Sequence, residues 1–149
     1  MREILFRGKS RENGEWVEGC LICVNEYCCI LQDEEAAEPD EYPYLGVKTG
    51  CIDGFATPVI PETVGQFTGL TDKNGKKIFE GDILQFDYTG KNLGVKGLET
   101  VIFENGQFGV KWGWHKEFVS LVGFANTTLT VIGNIHDNPE LLKEGAENE

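Results

Sequence analysis

The sequence contains no apolar run that approaches the length of a membrane-spanning helix, which argues against a membrane protein. Its first residues, Met1–Gly8, are charged and have neither a long apolar core nor a small-residue cleavage site, so we expect no signal peptide. Lysine and arginine are scarce, at 13 against 25 aspartate and glutamate residues. Nonspecific binding to phosphate backbones needs clustered lysine and arginine, so a nucleic-acid partner is disfavoured. We expect a cytoplasmic protein.

Sequence signatures of enzymes are absent as well. The chain has no phosphate-binding loop, no Gly-x-Ser-x-Gly, no His-Glu-x-x-His and no dinucleotide fingerprint. His115 has no sequence-adjacent nucleophile. We therefore expect a protein that is not an enzyme and uses no cofactor. The alternative is an enzyme whose site is assembled from residues that lie far apart in the sequence.

The net charge of -12 is unevenly spread along the chain. Segment 33–41 holds six acidic residues and no basic one, and segment 137–149 holds five acidic residues against one lysine. The rest of the chain is almost neutral. Charge runs of this length are typical of solvated loops and tails that keep a protein soluble. The functional alternative is an acidic surface that docks a basic partner or mimics nucleic acid.

Nineteen glycines among 149 residues, separated by short apolar runs, predict a mainly β fold. Asn13-Gly14 and Asn105-Gly106 supply the turn geometry of two hairpins. Near the C-terminus, Asn138 as a cap, Pro139 at the first helical position and Glu140 in the first turn predict a short helix. The predicted strands are Ile4–Phe6, Glu15–Val24, Tyr27–Leu31, Tyr42–Val47, Ile83–Tyr88, Thr100–Glu104, Gln107–Trp112 and Leu129–Ile135.

The best internal boundary is Pro58–Thr63, where two prolines restrict the backbone. We expect residues 1–60 to form an N-terminal β region that contains a β-hairpin and the acidic loop 33–41. We expect residues 61–149 to form an SH3-like barrel unit with the short C-terminal helix and a tail.

The densest turn chemistry follows this boundary. Asp72-Lys73-Asn74-Gly75 is a tight-turn sequence, because Asn and Gly tolerate positive φ and Asp accepts from backbone amides two residues on. Glu80-Gly81-Asp82 makes a second turn before a strand in which Leu84, Phe86 and Tyr88 share one face. A calcium loop would need a third oxygen ligand before the glycine and a glutamate six residues after it. We therefore expect these residues to shape the backbone.

Cysteines cluster in the N-terminal region. Cys20 and Cys23 have the spacing of zinc ligands, and Cys28 or Cys29 could add a ligand. However, the stretch is apolar, where free cysteine serves as a small buried hydrophobe, and residues three apart in a strand face opposite sides. We favour buried cysteines over a zinc site or a redox pair. We expect no structural disulfide in a reducing compartment.

The stretch Trp112-Gly113-Trp114-His115-Lys116 is the best candidate binding surface in the sequence. Trp112 and Trp114 share strand parity, and with His115 and Lys116 they could stack a base or grip a peptide. The alternative, which we favour, is that the tryptophans fill the core while His115 and Lys116 face water.

Three sequence blocks, taken together, point to a family. They are Arg2–Lys9 with Gly14–Val17, then Pro61–Leu70 with the turns at 72–75 and 80–83, and finally Val131–Leu142. In this order they span nearly the whole chain, and they resemble the YopX proteins of bacteriophages and prophages. The resemblance implies a small phage-borne protein similar to SH3-like β barrels, and it supplies no catalytic residues. It also implies that the matching Gly, Asp and Pro positions keep the fold, while the cysteines belong to variable parts.

We therefore expect a phage or prophage accessory protein that acts without catalysis, by protein binding or self-assembly, in the cytoplasm of a bacterial host. Small β proteins leave strand edges that pair between subunits, which favours a homo-oligomer. A host or phage protein is the other expected partner. The alternative function is a zinc-dependent or aromatic-patch nucleic-acid-binding module, based on the cysteine cluster and on the residues around Trp112.

Overall fold

The computed structural model describes residues 2–32, 56–87, 97–112, 116–124 and 128–147. Within these ranges the fold is mainly β with one short C-terminal helix, as predicted. Closure of an SH3-like barrel stays a prediction. The strands are β1 (Phe6–Lys9), β2 (Trp16–Val24), β3 (Tyr27–Leu31), β4 (Ala56–Val59), β5 (Gly65–Thr71), β6 (Lys77–Phe79), β7 (Asp82–Asp87), β8 (Leu98–Thr100), β9 (Ile102–Glu104), β10 (Gln107–Trp112), β11 (Glu117–Ser120) and β12 (Thr128–Asn134), and the helix is α1 (Glu140–Glu147).

The chain divides into two compact units, Met1–Gln66 and Phe67–Glu149. The division falls within β5. The predicted boundary after residue 60 stays a prediction, and a 3-10 helix, Pro61–Thr63, occupies that part of the chain. In the described part of the chain, no helix has both the length and the apolar character needed to cross a membrane.

The first unit is an antiparallel sheet in the order β4-β3-β2-β1. Its outermost strand also bonds back to the chain that follows β1. Ser10 and Val59 form a bridge, Arg11 N donates to Pro58 O at 3.0 Å, and Ile60 N donates to Lys9 O at 2.9 Å. As a result, β4 has backbone partners on both of its edges.

The core of the first unit lies on one face of this sheet. Cys28, Ile30 and Val59 are buried there, and three partly buried side chains pack against them, namely Val17, Leu21 and Val64. Cys28 and Ile30 share this face through the two-residue period of β3, whereas Leu31, which is also buried, lies on the opposite face.

The second unit contains two three-stranded antiparallel sheets, β12-β7-β8 and β11-β10-β9. Consecutive strands β8 and β9 belong to different sheets, and only Val101 separates them. At this corner Val101 N donates to Asp82 O, and Gly81 N donates to Val101 O, both at 2.9 Å. These bonds fix the point where the chain leaves one sheet for the other.

The core of the second unit gathers residues from both sheets. The buried cluster comprises Ile78, Leu84, Phe86, Val101, Val110, Leu121, Leu129 and Val131. Leu84 and Phe86 lie together in this cluster, as their shared parity predicted, and Tyr88 lies outside the described residues.

Most of the strands predicted from turn chemistry are present. Asn105 and Gly106 both have positive φ, 53° and 79°, and join β9 to β10 as their sequence predicted. The first strand begins at Phe6, whereas we expected it at Ile4. The predicted strand Tyr42–Val47 lies outside the described residues.

The predicted C-terminal helix is present, with a different role for its capping residue. The backbone carbonyl of Asn138 accepts from Leu141 N at 3.1 Å. Its side-chain oxygen accepts from Asn134 N at 3.2 Å, and so bonds the chain before the helix. Asn138 therefore anchors the turn between β12 and α1.

Gly19 offers a test of the packing between β2 and β3. A Cβ added there would lie 2.7 Å from the Leu31 carbonyl carbon and closer still to its oxygen, and Leu31 backbone cannot move without disturbing the sheet. We expect Gly19→Ala to lower the free energy of unfolding by about 1–3 kcal/mol, the usual cost of overpacking. Urea titration followed by tryptophan fluorescence measures this.

The control is Glu18→Ala, which changes the exposed neighbouring position of the same strand. We expect it to change the unfolding free energy by less than about 0.5 kcal/mol, as is usual for surface substitutions. Equal stability of the two variants would contradict the close approach at Gly19.

Candidate binding surface

The hairpin formed by β2 and β3 is apolar on both of its faces. Every residue of Cys20–Val24 and of Tyr27–Leu31 is apolar. Strands with such continuous apolar runs are typical of sheets that are covered on both sides. One face of this hairpin packs in the core of the first unit. The exposure of the side chains on the other face therefore determines whether the hairpin can bind a partner.

The register identifies the side chains on the outer face. Val24 pairs with Tyr27 and Ile22 pairs with Cys29, and directly opposed residues point to the same side of a sheet. The pair between them, Cys23 and Cys28, faces the other way, as do the core residues Leu21 and Ile30, which form the pair after Ile22 and Cys29. Outer-face residues therefore form two adjacent cross-strand pairs near the end of the hairpin.

We call these four residues, Ile22, Val24, Tyr27 and Cys29, the outer patch. Val24 is 60% exposed and Tyr27 is 63% exposed, while Ile22 and Cys29 are partly exposed. Scattered apolar side chains are normal on protein surfaces, but contiguous apolar patches mark interaction sites. The outer patch is contiguous by register.

Arg11 supplies a positive charge at the edge of the outer patch. Its guanidinium carbon lies 5.5 Å from the centroid of the Tyr27 ring, and its Nε donates to Val59 O at 3.2 Å. The hydrogen bond fixes the arginine to β4, and the cation–π contact orients the exposed ring. The patch thus combines an apolar surface with one oriented cation.

The four cysteines proposed as zinc ligands do not converge. Cys20 and Cys29 lie on the outer face, whereas Cys23 and Cys28 lie on the inner face, because the register alternates. Among the described residues, no group of three or more His, Cys, Asp or Glu side chains could hold a metal ion. Strand alternation thus separates the residues that sequence spacing grouped.

Cys23 and Cys28 instead form a disulfide across the hairpin. They are direct cross-strand partners with Cα atoms 4.2 Å apart, close to the separation of non-hydrogen-bonded pairs in antiparallel sheets. Our expectation of no structural disulfide is therefore wrong for this pair. That expectation was based on the reducing compartment alone. The register of β2 with β3 places the two cysteine side chains opposite each other. Cys20 and Cys29 take no part in this disulfide.

The structure describes only part of the predicted aromatic surface. Trp112 ends β10, and Lys116 is exposed with a positive φ of 52° just before β11. Trp114 and His115 lie outside the described residues. A binding role for these four residues stays a prediction.

A basic and aromatic cluster in the first unit was not predicted. The Arg7 guanidinium carbon lies 4.7 Å, and the Lys9 Nζ atom 5.7 Å, from the centroid of the Trp16 ring. Arg7 is buried, and Lys9 is the direct cross-strand partner of Trp16. Two cations on one indole ring stabilise the pairing of β1 with β2. The spacing of Arg7 and Lys9 on one strand face can be read from the sequence. The register of β1 with β2, which places these cations beside Trp16, cannot.

The turn at Asp72 is docked onto β12 by a buried carboxylate. Asp72 Oδ1 accepts from Asn74 N at 2.8 Å and from Lys76 N at 2.9 Å, while Oδ2 accepts from Val131 N at 3.0 Å. Lys73 N also donates to Leu129 O at 2.9 Å. One side chain therefore closes its own turn and joins it to a strand 59 residues away.

The second turn is docked in a similar way. Buried Asp82 Oδ2 accepts from Phe79 N at 2.7 Å, and Ile135 N donates to Gly81 O at 2.9 Å. Asn134 Oδ1 accepts from the amides of the next turn, His136 N at 3.0 Å and Asp137 N at 2.9 Å. These contacts support the interpretation that the recurring Asp, Asn and Gly residues keep the fold.

The segments that meet here, 72–75, 80–83 and 131–142, are parts of the sequence blocks that pointed to a family. The family model of the YopX protein matches residues 5–143. The chain belongs to the YopX family. Among curated proteins, none matches this YopX chain.

A solved structure is similar to this YopX protein. The crystal structure of protein EF1440 from Enterococcus faecalis superposes with a TM-score of 0.55 at 24% sequence identity, covering 95% of this chain and 99% of that chain. At this identity the likeness shows a shared fold alone.

Hydrogen bonds set the ionisation of Asp72 in this YopX protein. Burial raises the pKa of Asp72. The hydrogen bonds from the amides of Val131, Lys76 and Asn74, together with the charge of Lys76, lower the pKa by more than burial raises it. The net result is a pKa below the ordinary value of 3.8. The folded state thus favours the ionised carboxylate, so its stabilising contribution is complete above pH 3.8 and is lost as the pH falls through the lowered pKa.

We expect Asp72→Asn to lower the free energy of unfolding at pH 7 by about 1.5–3 kcal/mol, because hydrogen bonds to a charged group are lost and an amide NH2 replaces an acceptor. Below pH 3.8 the difference between the variant and the parent should shrink, since the parent carboxylate becomes protonated there. Urea unfolding at pH 7 and at steps down to pH 2 measures both effects.

Glu117→Gln is the matched control, because it removes an exposed carboxylate from the same unit. We expect it to leave the stability at pH 7 within about 0.5 kcal/mol of the parent. A difference between Asp72→Asn and the parent that stays constant with pH would show that the charge of Asp72 has no stabilising role.

Proposed function

We propose that this protein is a phage or prophage accessory protein that acts without catalysis, by protein binding through the outer patch, and that its first partner is a second copy of the same chain. The family resemblance supports the phage or prophage origin and the cytoplasm of a bacterial host as its location. The single observation that carries the binding role is the exposed apolar face of the β2–β3 hairpin.

The composition of this face supports binding rather than chance exposure. The outer-face positions from Cys20 to Leu31 include no charged side chain. A strand that only faced water would alternate apolar with polar residues, as in antiparallel sheets with one solvated side. Loss of that alternation costs solubility unless another surface covers the face.

Exposure along the hairpin locates the contact. Leu31, at the far end of β3, is buried, whereas Val24 and Tyr27 beside the turn are largely exposed. The surface available to a partner therefore lies at the turn end. Burying a side chain of the size of valine contributes about 1.5–3 kcal/mol, so Val24 and Tyr27 are the side chains of this surface with the most to gain from a partner.

A second copy suits this surface because an isologous two-fold interface brings the same patch of both subunits together, so an apolar patch meets an apolar patch.

The test is a double substitution, Val24→Thr with Tyr27→Thr, which keeps residues that favour strands while removing apolar surface. We expect the dissociation constant of the homo-oligomer to rise at least about tenfold, because two largely exposed anchors are lost from each copy. Sedimentation equilibrium across a range of protein concentrations measures the change.

Val122→Thr is the control, since it makes the same change at a residue that is 70% exposed in the second unit. We expect the control to associate like the parent. If the parent is monomeric at high micromolar concentration, self-association is wrong. If the control weakens association as much as the double variant, the assignment of the contact to the outer patch is wrong.

A further inference from the structure

The disulfide between Cys23 and Cys28 lies in the hairpin that carries the outer patch. Val24 and Tyr27 form the last pair before the turn, and Cys23 and Cys28 form the next pair along the ladder. The turn itself has only two residues, Asn25 and Glu26, and Asn25 has a positive φ of 57°. The covalent bond thus closes the smallest loop that includes the exposed end of the hairpin.

The two cysteines differ in their exposure. Cys23 is exposed, whereas Cys28 is buried with Ile30 and Val59 in the core of the first unit. The bond therefore ties an exposed position of β2 to the buried interior through β3. Because thiol–disulfide exchange requires access, an attacking thiolate reaches exposed Cys23 more readily than buried Cys28.

We propose that Cys23 and Cys28 form a reversible thiol–disulfide switch that orders the turn end of the hairpin and so controls the outer patch. This inference rests on the proposed function for its cytoplasmic setting and for its effect on binding. Disulfides in reducing compartments are typically transient and redox-sensing, which matches a pair at an exposed hairpin end. Oxidation orders the patch, and reduction releases it.

The exchange reaction balances with a dithiol as the reductant. A dithiol thiolate attacks Cys23 Sγ, the Cys23–Cys28 bond breaks, and Cys28 leaves as a thiolate. The second thiol of the reductant then attacks the mixed disulfide and releases Cys23. Two electrons and two protons pass from the dithiol to the two cysteines, and the dithiol becomes a disulfide. The reverse reaction, with a low-molecular-weight disulfide as oxidant, restores the bond.

The other two described cysteines stand apart from this exchange. Cys20 and Cys29 lie on the opposite face, although Cys29 follows Cys28 directly in the sequence. Alternation of side chains along a strand points neighbours away from each other. These thiols therefore provide matched controls within the same two strands.

The first measurement counts thiols in the full chain. The protein is equilibrated over a range of reduced to oxidised dithiothreitol, quenched in acid, alkylated under denaturing conditions and weighed intact. We expect the reduced protein to carry two more alkyl groups than the oxidised protein, and we expect this difference to be reversible. The Cys20→Ser variant should show the same difference, and the Cys23→Ser variant should show none. Cys23→Ser is chosen because Cys23 is exposed, which leaves buried Cys28 in the core. A chain that never gains or loses two thiols together would overturn the proposal.

The second measurement is amide hydrogen exchange of the reduced and oxidised forms. We expect amides of segment 20–31 to exchange at least about tenfold faster after reduction, since a cross-link over a short loop is lost. Amides of β10 and β12 should not change. Cys23→Ser should exchange like the reduced parent in the presence or absence of dithiol. Equal exchange of the two forms in segment 20–31 would mean that the bond orders nothing, which also overturns the switch.

Association is measured last, because it separates this proposal from the proposed function. We expect the reduced protein to have a dissociation constant about tenfold higher, as loss of preorganisation predicts. If exchange depends on reduction but the Val24→Thr, Tyr27→Thr variant associates normally, the outer patch is not the contact and the switch stands. If that variant loses association while exchange ignores reduction, the binding surface stands and the switch is wrong.

Discussion

A shift of one residue in the pairing of β2 with β3 would exchange the two faces of the hairpin, because side chains alternate along a strand. With the observed register, Cys28 and Ile30 enter the core, and Val24 and Tyr27 lie outside. The same register places Cys23 opposite Cys28, where a bond can form. Core, surface and disulfide in the first unit all follow from this one alignment. The sequence of the hairpin is apolar on both sides, so its own hydrophobic pattern specifies the alignment weakly. The two-residue turn and the covalent bond supply the missing specificity.

The second unit solves a similar problem with a carboxylate. Asp72 belongs to a short local turn, yet its two oxygens bond three amides, one of them in β12. Because a buried carboxylate is costly unless its oxygens are satisfied, the turn and the strand must form together. Asp82 does the same for the corner at Val101, with its side chain on Phe79 N and its carbonyl on Val101 N. Residues that looked like isolated turn formers therefore hold distant segments together.

Local turn chemistry was sufficient to predict much of the fold. Asn105-Gly106 joins two strands as expected, and the helix after Asn138 is present, because these signals act within a few residues. The candidate site was less accessible. Cysteine spacing suggested one cluster of four, but the alternation of β2 and β3 divides it into two pairs. The apolar runs at 20–24 and 27–31 can be read from the sequence. Which face of the hairpin stays exposed cannot, because that depends on which other elements cover it. That information lies in long-range packing, and no local pattern contains it.

The acidity of the chain and its apolar hairpin act over different distances. At physiological ionic strength, salt screens exposed charges beyond about 8 Å. The net charge of -12 therefore gives only a short-range repulsion between two copies of the chain. In the proposed contact, apolar burial at Val24 and Tyr27 would act only over the area that is removed from water. Arg11 adds a positive charge beside Tyr27, at the edge of the outer patch. A short-range patch on a repelling body gives association that depends on the shape of the patch. If the outer patch binds a second copy as proposed, a bond that orders these four residues would control that binding without any change elsewhere in the fold.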